Sequence, residues 1–299
     1  MNARITQRPE IAGVILAVVA ACAFGTLAIS AKLAYRAGVH PFPLLAWRFA
    51  LAAGMLGIYH AVIGRSVRLE RGPLTRTLLG GGLLYGFEAT LFFAALERAP
   101  ASVVGLVFYS YPIWTTALGF ATGLEKFRLR LVGSLSLGVA GVALVFSVPT
   151  TSLAGPLFAL GAAVVVSVYF LFVQVLLRDV AASVAAMWTS AGAAVALGVV
   201  SLISGESLPA EAFGPVLALA AASGFAFLAL YEAIARIGSA RSSIAAMLEP
   251  VTTIGLAALF LNEDLTGRVV LGALLIVSVL PLLATAGHRD PGPAAADTI

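Results

Sequence analysis

From about residue 11 to residue 286 the chain is a succession of apolar runs. Each is close to the ~20 residues a helix needs to cross a bilayer core. Ten such stretches are predicted, at about 11–35, 42–63, 77–96, 101–122, 131–148, 154–177, 181–204, 213–235, 241–261 and 268–286. The connections between them are short, and nothing is left over for a soluble domain. The first run is too long for a signal peptide and is read as a span. Residues 288–299, HRDPGPAAADTI, read as a polar, disordered cytoplasmic tail.

Composition supports this reading. Hydrophobic residues make up 61% of the 299 and charged residues 11%, against about 25% charged in soluble domains. The net charge of +4 therefore concerns topology, and no nucleic-acid partner is implied. With the N-terminus in the cytoplasm, thirteen Lys and Arg fall on the inner side, among them Arg65, Arg68, Arg71, Arg76, Arg128 and Arg241. Four fall outside: Lys32, Arg36, Arg98 and Arg268. That is the positive-inside bias of ten spans with both termini in the cytoplasm. The lone Cys22 excludes an intrachain disulfide, and His40, His60 and His288 show no metal-ligand spacing. No metal and no cofactor are expected.

Pro112 and Pro250 are 138 residues apart, each inside an apolar run. A proline there removes a helix hydrogen bond and frees a carbonyl four residues back, on Phe108 or Ala246. At the same offset Gly86-Phe87 meets Gly224-Phe225, and Thr115, Leu118, Glu125 and Arg130 meet Thr253, Leu256, Glu263 and Arg268. Two halves of five spans follow, residues 1–150 and 151–287. Five is odd, so the second half enters the membrane in the opposite sense. The expected fold is an all-α polytopic membrane protein of ten transmembrane helices in two inverted five-helix repeats. Paired interruptions in two such halves point to a transport site.

The repeat endings are YPIWTTALGFATGLEKFRLRLVGSLSLGVAGVALV and EPVTTIGLAALFLNEDLTGRVVLGALLIVSVLPLL, preceded by LFFAALERAPAS and LALYEAIARIGSARSS. With these segments the chain resembles the EamA family of the drug/metabolite transporter superfamily, over nearly its whole length. Within that family it resembles the YddG-type amino-acid exporters. The resemblance implies a bacterial inner-membrane exporter, with small metabolites such as aromatic and neutral amino acids as substrates. The expected partners are a small-molecule substrate and the lipid bilayer, with the chain acting as a monomer.

The site residues are argued from depth and spacing. Glu88 lies some eleven residues, or ~16 Å, into its span, near the midplane of a ~30 Å core. Tyr85, Glu88 and Phe92 share one helix face. A carboxylate among rings can hold an ammonium group or take up a proton, and Glu88 is the proton-coupling candidate. Its alternative is a protonated acid bonded to a neighbouring helix. Tyr109, Tyr111 and Trp114 crowd around Pro112, while Ser223, Phe227 and Tyr231 follow each other at four-residue intervals. Tyr169, and with it Phe170, joins them as a candidate from the sixth span.

Glu249 precedes Pro250 where the first half has Tyr111, so the two halves are chemically unequal. Its alternative is a pair with Arg241 or Arg236. Pro112 and Pro250 are the expected hinges. Arg48 could meet a substrate carboxylate or pair with Glu88; the favoured reading has it snorkelling from a peripheral second span to the headgroups, with Trp47 and Trp188 as interface anchors or packing residues. Glu125 and Glu263, with Asp264 and Thr266, read as structural features of helix starts.

The function expected from these features is export of small amphiphilic metabolites, most of all amino acids, by alternating access. Efflux of lipophilic cations is the alternative. No intramembrane enzyme motif is present in the sequence, and no enzyme is expected.

Overall fold

The computed structural model describes residues 3–27, 38–96, 98–99, 101–145, 153–261 and 267–285. All regular structure among them is helical. The first half comprises α1 (Ala3–Gly25), α2 (Pro41–Val62), α3 (Arg71–Thr75), a π-helical segment Arg76–Gly81, α4 (Gly82–Leu96), α5 (Ala101–Phe108), α6 (Tyr111–Ala121) and α7 (Leu129–Val145). The second comprises α8 (Ala154–Leu176), α9 (Ala182–Ile203), a 3-10 turn Ala210–Ala212, α10 (Phe213–Ile237), α11 (Ser239–Ala246), α12 (Glu249–Leu261) and α13 (Gly267–Thr285).

Among the described residues six stretches are long and apolar enough to cross a bilayer: Pro41–Val62, Arg71–Ala95, Val104–Ala121, Ala154–Leu176, Ala182–Ile203 and Ala210–Ile237. Glu10–Gly25, Leu129–Leu144 and Gly267–Leu283 are apolar helices of shorter length. The end of the first predicted span, Lys32, Arg36, Glu263, Asp264, Thr266 and the tail lie outside the described residues.

Helices pack in pairs that cross the midpoint of the chain: α1 on α10, α4 on α8, α2 on α9 and α7 on α13. Small residues allow this, because helices in lipid associate through close backbone approach. A Cβ on Gly82 would lie 2.6 Å from the Cα of Gly192, so α4 and α9 meet backbone to backbone. Gly80 and Gly81 face Phe172 and Thr189. Gly133 on α7 faces open space.

The two proline-bearing spans are broken just ahead of the prolines rather than kinked at them. Tyr109-Ser110 separates α5 from α6, and Met247-Leu248, the same pair at the offset of 138, separates α11 from α12. Both breaks are tight. Ser110 N–H donates to Val107 O at 3.1 Å and Leu248 N–H to Ala245 O at 3.1 Å, each three residues back. Pro112 and Pro250 therefore sit in the first turn of a new helix, where the missing N–H has no partner to lose.

Side chains tie the breaks to the opposite half. Ser167 Oγ on α8 donates to Tyr111 O at 2.9 Å. Thr253 Oγ1 on α12 donates to Gly25 O at 3.0 Å.

Candidate functional site

Where α1, α2, α4, α8 and α10 converge on the two breaks, they line a cavity of about 450 Å³. Its wall is rich in aromatic rings. Tyr85 on α4 meets Phe49 at 5.2 Å, Tyr169 at 5.1 Å and Phe227 at 5.1 Å between ring centres. Phe108 meets Phe92 at 4.8 Å and Tyr111 at 5.5 Å. Tyr111 in turn stacks near Phe170 at 5.5 Å. The rings come from both halves of the chain, so the cavity exists only once the halves are packed together.

Among the described residues one arginine and two glutamates line this wall: Arg48, Glu88 and Glu249. Arg48 is buried on α2, its guanidinium 4.8 Å over the Phe49 ring. Its Nε donates to Ser223 Oγ at 2.6 Å, and it lies within electrostatic reach of the Tyr85 hydroxyl. Ser223 Oγ in turn donates to Leu219 O at 2.6 Å. Glu88 is buried within electrostatic reach of Arg48 and Glu249. Glu249, at the first position of α12, lies within reach of the Tyr109 hydroxyl. The two breaks thus meet through side chains, Tyr109 of one facing Glu249 of the other. Behind the wall Tyr169 and Tyr231 join their hydroxyls at 2.8 Å.

Among the residues predicted from sequence, Tyr85, Glu88, Phe92, Tyr109, Tyr111, Tyr169, Phe227, Glu249 and Pro250 line the cavity. Ser223 stands behind it, occupied by Arg48. Pro112 is buried next to Tyr111 but outside the lining. Trp114 points away. The buried stripe of α6 runs through Tyr111, Pro112, Thr115, Thr116 and Gly119, whereas Trp114 shares the exposed stripe with Ile113 and bonds Ser110 Oγ at 3.3 Å.

Arg48 corrects the sequence reading. α2 is not peripheral: it packs on α9 and α10, which turns Arg48 inward. The signal available was a lone arginine well inside an apolar run, and its direction depended on packing partners. Glu249 does not pair with Arg236, which instead binds Glu232 one turn away on α10. Trp188 Nε1 donates to Val67 O at 2.8 Å and pins the arginine-rich loop.

Outside the spans, Glu125 in the turn after α6 lies beside the α10–α11 corner. A Cβ on Gly238 would be 3.5 Å from Glu125 Oε2 and 3.6 Å from Gln174 Oε1. Gln174 Oε1 accepts from Ser239 N–H at 2.6 Å. Burial raises the Glu125 carboxyl above the ordinary carboxylate range, against the opposing pull of Arg241 and Arg128. Among the described residues no cluster of His, Cys, Asp and Glu forms that could hold a metal.

A ring-lined cavity that brings Arg48 together with Glu88 and Glu249 suits a small solute with an apolar part and charged groups. Comparison with known proteins agrees with a transport architecture. Twenty-nine chains of solved structures match this fold significantly. One crystal structure superposes with a TM-score of 0.77 over 93% of this chain and 99% of the other, at 21% identity. No curated protein matches the sequence significantly. The EamA-like transporter family matches twice, over residues 11–147 and again over 153–285, together most of the chain. With a break at the same position of each matched half and the cavity between them, the chain is a polytopic membrane protein of the EamA-like transporter family.

Proposed function

We propose that this chain exports small zwitterionic metabolites, amino acids above all, from the bacterial cytoplasm by alternating access. The observation that carries this reading is the presence of Arg48 in one cavity with Glu88 and Glu249. A substrate carboxylate meets Arg48, an ammonium group meets Glu88 or Glu249, and the rings take the apolar side chain. Charge-assisted hydrogen bonds of this kind fix orientation as well as affinity.

The proposed architecture is ten spans in two inverted repeats, residues 1–150 and 151–287, with both termini cytoplasmic. Three observations support it. The family matches each half separately. The breaks fall at equivalent residues. Advancing each half by five spans turns the α1–α10 and α1–α12 contacts into α8–α4 and α8–α6, all of which are present. The short helices α5, α6, α11 and α12 are the moving parts, because a broken helix rearranges at its break without disturbing hydrogen bonds elsewhere. A monomer carries the complete cavity.

Uptake into proteoliposomes tests this directly. The purified chain is reconstituted and offered each proteinogenic amino acid, with and without a pH gradient. Saturable transport of a subset is expected, lost on Arg48→Ala. Transport of lipophilic cations that amino acids do not inhibit would replace the reading with drug efflux, which the excess of carboxylates over arginine favours. Glu88 is proposed as the coupling group, and Glu88→Gln should then make transport independent of the pH gradient. Gradient dependence that survives this change removes Glu88 from that role.

A further inference from the structure

A second cavity, of about 590 Å³, lies outside the transport site, between α2, α9 and the loop that leads into α10. It is at the end of α2 opposite the arginine-rich loop, where Pro41 begins the helix and Ile203 ends α9. Its floor is made by small residues, Ala50 of α2 and Gly198 of α9 among them, and a Cβ on Gly198 would meet nothing within 4 Å. The mouth opens sideways. Trp47, Leu202 and Phe213 stand at it with 46%, 81% and 46% of their surfaces exposed, as apolar side chains do where they meet lipid tails. From Ala194 to Leu202 the groove follows two turns of α9, ~12 Å along the helix axis.

The polar end of this groove is Glu206, in the loop after α9. Its Oε2 is buried and has no hydrogen-bond partner among the described residues. Its Oε1 lies 3.7 Å from Nδ1 of the exposed His40. A buried carboxylate oxygen without a donor is costly, and the cost falls when an ammonium group arrives. The backbone here is held independently of that oxygen, because Ser201 Oγ donates to Glu206 O at 3.0 Å.

We propose that this groove binds a membrane phospholipid with a primary ammonium headgroup, its acyl chain along Ala50 and Gly198 and its ammonium on Glu206. A lipid is selected by the sideways mouth and by the length of the apolar wall parallel to the helices. The headgroup is selected by charge and by hydrogen-bonding capacity. A primary ammonium has three donors for the carboxylate, whereas a quaternary one has none and a phosphoglycerol headgroup carries net negative charge. An occupant there braces α2 against α9, the same α2 that carries Arg48.

Native mass spectrometry of the full chain tests the assignment, in detergent supplemented with equal palmitoyl-oleoyl phosphatidylethanolamine, phosphatidylcholine and phosphatidylglycerol. The wild type should retain the ethanolamine lipid about tenfold over the choline lipid, the ratio expected of one charge-assisted hydrogen bond. Glu206→Gln should bring that ratio close to one. Gly198→Leu, which fills the floor, should lower retention of every lipid. Ala50→Leu serves as a second filling variant if the first does not fold. Equal retention by the wild type, preference for phosphatidylglycerol, or an ethanolamine preference that survives Glu206→Gln would each overturn the proposal.

Discussion

Arg48 on α2 and Ser223 on α10 are 175 positions apart in sequence and 2.6 Å apart in space, Nε donating to Oγ. This bond fixes among the rings the one cation that lines the cavity among the described residues. Ser223→Ala removes an acceptor from a buried guanidinium, a loss of about 1.5–3 kcal/mol for a charged partner. The low end is expected, because Tyr85 and Glu88 remain within electrostatic reach of Arg48. Thermal unfolding in detergent reads this term. In proteoliposomes the same variant should raise KM for zwitterions, with a smaller effect on amines that lack a carboxylate. Equal effects on both would mean that Arg48 does not meet the substrate.

The link between Tyr109 and Glu249 predicts coupling between the two broken helices. Tyr109→Phe and Glu249→Leu each remove the same polar contact. Their effects on substrate affinity should therefore be non-additive, with an interaction energy of about 0.5–3 kcal/mol. Strict additivity in a double-mutant cycle would show that the breaks act independently.

How much of this was legible in the sequence follows from the kind of evidence each feature leaves. Tyr85, Glu88 and Phe92 were readable because helical spacing alone puts them on one face, and that face lines the cavity. The breaks were readable to within three residues: Pro112 and Pro250 marked the place, but proline prefers the first turn of a new helix to the kink of an old one. Between the cavity and the headgroups the direction of Arg48 was not readable, because it depends on α9 and α10 packing over α2. Trp114 was misplaced for the converse reason, since proximity to Pro112 in sequence does not say which stripe of α6 faces inward. The π-helical segment Arg76–Gly81 has no periodicity of its own to announce it.

Gly82 and Gly192 bring α4 and α9 into backbone contact, so alanine at either should act as overpacking. A Cβ on Gly82 would fall 2.6 Å from Gly192 Cα and 2.8 Å from Ala193 N, and backbone atoms cannot yield as a flexible side chain can. Gly82→Ala should destabilise by about 1–3 kcal/mol. Gly133→Ala, where the site is open, is the control and should be neutral or slightly stabilising through helix propensity. Thermal unfolding of both variants in the same detergent makes the comparison.

Gly238 turns the chain from α10 into α11 at φ +83° and ψ 168°, a region open to glycine and strained for other residues. Space is available for a methyl group, since the nearest atoms are 3.5 Å away or more. Gly238→Ala should therefore cost about 1–3 kcal/mol through backbone strain rather than collision. Gly238→Asn should lose less if the strain is relieved toward the left-handed region that asparagine tolerates. Equal losses for the two would point to a steric cause.

Glu125 gives a pH dependence whose sign follows from burial. Its carboxyl holds a proton more tightly in the folded protein than in the unfolded chain, where glutamate titrates near ~4.3. Below that pH both states are protonated and the group is neutral in its effect. As pH rises from there through the raised folded value, the unfolded chain releases its proton first, and stability falls until the folded carboxyl has ionised too. Arg241 and Arg128 oppose the shift, so the fall is shallow. Glu125→Gln should remove it, so the variant gains on the wild type with rising pH and the gain then levels off. Thermal unfolding of the two proteins at closely spaced pH values checks this. A difference that stays constant with pH, or that shrinks as pH rises, would show that burial does not govern this carboxyl.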